Sequence, residues 1–191
     1  QVERILETNP HRVVLIDEAY VDFGGETALP LLQSYDNLLI VRTFSKSRSM
    51  AGARLGFGIA CPALIADLET LRYSTNPYNI NRMTMAAGVG TLMDENCVKE
   101  NCKKIMEVRD WTMQQLKEAG FVFTDSKANF IFAMHPKADG KQIYLRMKQK
   151  GVLIRHFDTP RLRQYNRITV GSKEQMEMFM IKLKEVLEEL L

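Results

Sequence analysis

Through Ala60 the chain alternates short apolar runs with polar and glycine-containing breaks. Val13-Val14-Leu15-Ile16 and Leu38-Leu39-Ile40-Val41 are uninterrupted apolar stretches of strand length, the pattern of buried strands. A third run, Leu55 to Ala60, carries Gly56 and Gly58, which permit close backbone approach. Gln1 to Glu7 reads as the end of a helix closed near Asn9-Pro10. Asp22 to Ala28 reads as a loop with Gly24-Gly25, and Leu29 to Ser34 as a short helix. These segments make two β-α steps and a further strand.

The period then changes to that of helices. Pro62 to Leu71 starts with proline at an early helical position. Asn79 to Met93 holds Ala86-Ala87-Gly88-Val89-Gly90, small residues suited to close packing. Asn96 to Ala119 is long and amphipathic, with Val98, Ile105, Val108, Trp111, Met113 and Leu116 at mostly helical spacing and Gly120 as C-cap. From Phe121 strands return: Phe121 to Phe123, Asn129 to Ala133, Val152 to Phe157 and Arg167 to Val170. Gly140 to Lys150 is a helix closed by Gly151. Ser172 caps a last helix, with Gln175 at the capping-box position and Met176, Phe179, Met180, Leu183, Val186 and Leu187 on one face. The expected boundary lies near Gly120, separating residues 1–120 from a small α/β domain of residues 121–191.

Bulk composition excludes several classes of protein. The 191 residues are 46% hydrophobic and 26% charged, as in ordinary globular chains. A net charge of +3, from interspersed charges, argues against a nucleic-acid or membrane surface. No apolar run approaches the ~20 residues of a membrane span, and no signal peptide is visible. Cys61, Cys97 and Cys102 are odd in number and form no Cys-x-x-Cys pair, so reduced thiols of a cytoplasmic protein are expected. His11, His135 and His156 show no metal-ligand spacing, and no metal is expected.

The chemistry concentrates at two strand ends. The first apolar run ends in Asp17-Glu18-Ala19-Tyr20, and the second runs into Arg42-Thr43-Phe44-Ser45-Lys46-Ser47-Arg48, with Arg54 eight residues beyond Lys46. An open α/β sheet binds its ligand outside the carboxyl ends of its strands. An amine, a carboxylate, a phenol, hydroxyls and a guanidinium would meet there. Together they suit pyridoxal phosphate. A lysine can form an imine with its aldehyde, a carboxylate can keep the pyridine nitrogen protonated, a phenol can hydrogen-bond the ring oxygen, and hydroxyls and a guanidinium can bind its phosphate.

At these residues the sequence resembles the fold-type I pyridoxal-phosphate-dependent aminotransferases, and within them the histidinol-phosphate aminotransferase branch. The likeness rests on Val14 to Phe23 and on the lysine run, and continues through Ala128-Asn129-Phe130 and Asn166 to Gly171. It implies an α/β fold comprising the C-terminal part of the large-domain sheet and a small α/β domain. It implies that Lys46 is the catalytic lysine, that Asp17 partners the pyridine nitrogen, and that Tyr20 meets the ring oxygen. Thr43, Ser45 and Arg54 match phosphate ligands, and Asn129, Arg155 and Arg167 match substrate-side positions. The implied reaction moves an amino group between glutamate and imidazole-acetol phosphate, in a cytoplasmic homodimer of histidine biosynthesis.

The family's glycine-rich phosphate loop, its ring-stacking aromatic, its Asn-Pro-x-x-Pro-Thr-Gly segment and a tyrosine that reaches the neighbouring subunit have no counterpart in these residues. The chain therefore reads as the C-terminal portion of such an enzyme, inactive by itself. Two alternatives share the residues: a related decarboxylase of amino-acid phosphates, and a non-catalytic aminotransferase-like domain used for sensing.

Overall fold

The computed structural model describes residues 1–191. They form two compact units, Gln1–Glu100 and Asn101–Leu191.

The first unit is built on a three-stranded sheet of order β1-β2-β3, with β1 Val14–Asp17, β2 Leu38–Thr43 and β3 Gly56–Ala60. β1 and β2 are parallel, with Asp17 opposite Val41; β2 and β3 are antiparallel, with Thr43 opposite Gly56. The parallel pair sets the ends of β1 and β2 side by side, so Asp17 and Thr43 emerge at the same edge. Helix α1 (Val2–Thr8) buries Leu6 against Leu38 and Ile40, a small core completed by Ala28. The β1–β2 connection contains two short 3-10 segments, Val21–Phe23 and Leu29–Gln33, in place of the single short helix that the sequence suggests. Phe23 is fully buried and anchors the first of them; burying such a ring is worth about 1.5–3 kcal/mol.

The expectation that Val13 to Ile16 is buried on both faces is not met. Burial alternates along β1, and Val13 and Leu15 are 53% and 56% exposed. β1 is the edge of this sheet, and nothing in the chain covers its outer face. Helices α2 (Pro62–Thr75) and α3 (Arg82–Met93) complete the unit. Asn81 caps α3 by accepting from the Thr84 N–H at 2.9 Å.

Helix α4, Glu95–Glu118, crosses the division between the units. Its second half contributes Leu116 to the core of the second unit. There a four-stranded antiparallel sheet has the order β4-β5-β7-β6, with β4 Val122–Phe123, β5 Phe130–Met134, β6 Arg155–His156 and β7 Tyr165–Thr169. Alternation along β5 and β7 sends Ile131, Ala133, Asn166 and Ile168 to the buried face. That face packs with α5 (Gly140–Gln149) and α6 (Lys173–Leu190). The six apolar residues expected on α6 are all buried, and Ser172 and Gln175 form the capping box. β6 is shorter than the expected Val152 to Phe157 strand, because ladder pairing with β7 covers only Arg155 and His156. Gly120, with φ 85°, ends α4: its N–H bonds the Lys117 carbonyl and the Phe121 N–H bonds the Leu116 carbonyl.

Candidate active site

In the first unit a cleft of about 470 Å³ is lined by Asp17, Ala19, Thr43, Ser45, Lys46 and Arg54, among others. It lies at the carboxyl ends of β1 and β2. Five of the six expected cofactor residues therefore share one cavity. The sixth, Tyr20, presents its ring to the same lysine, with Lys46 Nζ 5.5 Å from the ring centroid. Lys46 is half-buried and lines the cleft.

Local bonds explain how the loop after β2 holds this shape. Thr43 Oγ1 accepts from the Ser45 N–H at 3.1 Å, a hydroxyl-stabilised turn. Phe44 is buried; its ring meets Phe57 edge-on at 5.8 Å and lies under the Arg48 guanidinium at 5.4 Å. Arg48 Nη1 also donates to the Thr91 carbonyl at 2.7 Å, tying the loop to α3. Ser49 and Arg54, with φ 55° and 56°, are the only non-glycine residues with positive φ. Both flank Lys46, and each left-handed residue costs on the order of 1–2 kcal/mol. Such outliers cluster at functional sites, where surrounding contacts enforce them.

Two acids shape the cleft from beside it, and the sequence reading did not single them out. Glu18 is buried; its carboxylate accepts from Arg42 Nε and Nη2 at 3.0 and 2.8 Å, from Thr27 Oγ1, and from the Ala28 N–H. A buried carboxylate requires such partners, since losing one typically costs 3–5 kcal/mol. Asp22 accepts a hydrogen bond from the Ser47 hydroxyl. Their signal lay in the sequence: charges at Glu18 and Asp22 interrupt the apolar segment, and Arg42 sits inside an otherwise apolar strand. Asp17, by contrast, turns one oxygen to the Ala19 N–H at 2.9 Å and lines the cleft.

The three expected substrate residues lie in the second unit. Asn129 precedes β5, where its carbonyl accepts from the Val170 N–H at 3.0 Å. The neighbouring Ala128 carbonyl accepts from Arg109 Nη1 at 3.1 Å; Arg109 is a buried charge on α4 that periodicity did not reveal. Arg155 and Arg167 stand opposite each other across β6 and β7.

The sequence matches the family described as aminotransferase class I and II over residues 1–183. The chain belongs to that family. Among curated relatives, the chain is 41% identical over 189 residues to a histidinol-phosphate aminotransferase of Clostridium botulinum (strain Okra / Type B1), covering 99% of the chain and 53% of the relative. It is 45% identical over 185 residues to the protein of that name from Acinetobacter baumannii (strain AYE), covering 97% and 51%. The crystal structure of the histidinol-phosphate aminotransferase of Sinorhizobium meliloti, in complex with pyridoxal-5'-phosphate, superposes with a TM-score of 0.84 at 26% identity, over 98% of this chain and 53% of that one. The chain thus spans about half the length of the relatives it matches. No helix is long and apolar enough to cross a membrane.

Proposed function

We propose that the complete protein is a pyridoxal-phosphate-dependent aminotransferase that exchanges the amino group of glutamate with imidazole-acetol phosphate, yielding histidinol phosphate. It would act in histidine biosynthesis, as a homodimer in the cytoplasm. Residues 1–120 would belong to its large domain and residues 121–191 to its small one. The observation that carries the reading is the single cleft in which an amine, a carboxylate, a guanidinium and two hydroxyls converge. This donor set fits the cofactor: a nucleophile for an aldehyde, an acceptor for a protonated ring nitrogen, and donors for a phosphate.

When bound, pyridoxal phosphate supplies an electron sink for the substrate carbon that loses and regains a proton. Lys46 Nζ would hold the cofactor, yield it to the incoming amine, and then take and return that proton as general base and acid. Asp17 would keep the ring nitrogen protonated, and the Tyr20 hydroxyl would hydrogen-bond the ring oxygen. Thr43 and Ser45 would donate hydroxyl protons to the phosphate, and Arg54 a bidentate pair of N–H groups. Asn129, Arg155 and Arg167 would bind substrate, the two arginines its carboxylate or phosphate.

Borohydride reduction of the complete enzyme with its cofactor, followed by peptide mapping, tests the lysine. Label on Lys46 is expected, and label on another lysine instead would overturn the assignment. Glutamate-dependent amino transfer to imidazole-acetol phosphate, without carbon dioxide release, separates this activity from decarboxylation.

A further inference from the structure

Lys46 is followed by a buried serine whose hydroxyl leaves the cleft and bonds an acid of the neighbouring segment. Ser47 is 6% exposed, and it donates to Asp22 Oδ2. The next residues are fixed as well: Arg48 reaches the Thr91 carbonyl, and the Ser49 N–H closes a turn on the Lys46 carbonyl at 3.2 Å. That turn contains the strained Ser49, with φ 55°. A strained residue persists only while surrounding contacts over-determine it. Ser47 supplies one of those contacts from the position next to Lys46.

Asp22 is not needed to build its own segment. It is exposed, and the 3-10 turn it sits in is anchored by the fully buried Phe23 and closed by backbone bonds. The acid is therefore spent on the lysine loop. The same short segment carries Asp17 and Tyr20, so the Asp22–Ser47 bond ties the backbone beside Lys46 to the residues that face the lysine across the cleft.

We propose that Asp22 is a positioning residue that sets Lys46 against Asp17 and Tyr20 through Ser47. The inference rests on the reading of Lys46 as the cofactor lysine. Loss of the bond lets the turn relax, and the amine drifts from its place. Misplacement of a reacting group by about 1 Å can cost on the order of 100-fold in rate.

The test uses the complete enzyme and the variants Asp22→Ala, Ser47→Ala, Ser47→Thr and the double alanine. Amide hydrogen exchange of residues 45–50 is followed in the cofactor-free protein. The pH midpoint of the visible absorbance is followed in the cofactor-loaded protein, alongside kcat and KM. Both single alanine variants should speed exchange at 45–50 and shift the midpoint by about half a pH unit, a differential interaction within reach of one displaced hydrogen bond or charge. They should lower kcat at least ~10-fold with KM for glutamate within ~2-fold, the signature of a lost transition-state interaction. The double variant should match either single one, because the two residues act through one bond. Ser47→Thr, which keeps the hydroxyl, should restore most of the wild-type behaviour. An Asp22→Ala enzyme with wild-type exchange and midpoint, or additive effects in the double variant, would overturn the proposal while leaving Lys46 in its role. Failure of the wild-type enzyme to capture pyridoxal phosphate on Lys46 would overturn both.

Discussion

Arg155 and Arg167 are register partners, two cations directly opposite one another on adjacent antiparallel strands. Each guanidinium lies over an aromatic ring, Arg155 over Phe157 at 5.5 Å and Arg167 over Phe130 at 5.4 Å. Arg167 Nε is buried with no hydrogen-bond partner. Like charges so placed repel, by roughly 0.2–1 kcal/mol relative to neutral pairs. An arrangement that costs stability and leaves a donor unsatisfied suits an anion that arrives later. Arg155→Ala in the complete enzyme should therefore keep or slightly raise the unfolding midpoint in urea, while raising KM for glutamate or the phosphate substrate several-fold. A variant that loses stability and keeps its KM would assign Arg155 to packing instead.

Arg54→Ala should weaken binding of pyridoxal phosphate by about 1.5–3 kcal/mol, the range for hydrogen bonds to a charged group. Equilibrium titration of the complete enzyme measures it. An unchanged dissociation constant would remove Arg54 from the phosphate site.

Asp17→Ala should abolish most turnover while leaving the fold intact, because Asp17 is exposed at a strand end and its carboxylate accepts from the local Ala19 N–H. Steady-state rates and circular dichroism of the purified variant check the two halves of this statement. Near-normal activity would mean that another acid serves the ring nitrogen.

His135 makes stability of the second unit depend on pH. The side chain is buried beside the Phe121 ring at 5.2 Å, its Nδ1 accepts from the Lys137 N–H at 3.3 Å, and burial holds its pKa below the usual value of 6.5. A protonated Nδ1 could no longer accept that bond. The neutral form is favoured in the folded state, so the contribution is fully present above pH 6.5 and is lost as pH falls through 6.5 toward the lowered folded value. Protection factors of the amides at residues 120–137, taken against the intrinsic exchange rate at each pH, should fall between neutral pH and pH 5, and His135→Gln should flatten that dependence.

Gly140 begins α5 against the chain before β7. A Cβ there would lie 2.5 Å from the Gln164 carbonyl oxygen and 2.8 Å from that of Arg163, both backbone atoms that cannot swing aside. Gly140→Ala should destabilise the second unit by about 1–3 kcal/mol, the usual cost of overpacking. Denaturant unfolding followed at Trp111, which lies in that unit, would record the loss.

The sequence by itself carried the type and order of most elements and the residue types that line the cleft. Strand-length apolar runs, the Ser172 capping box and the one-sided α6 are local patterns, and hydrophobic periodicity reports them directly. The lysine run and the Asp17 to Tyr20 run could be read as one site because parallel strands place their carboxyl ends together. Tertiary structure alone decided the partners. That Glu18 meets Arg42, that Ser47 meets Asp22, and that Arg109 is buried against the Ala128 carbonyl depends on residues 24, 25 and 19 positions apart. Pairing at such distance is set by loop paths and packing, and no local period encodes it. The exposure of Leu15 shows the same limit from the other side. An apolar run declares that a surface prefers burial, but only the assembled sheet shows whether anything covers it.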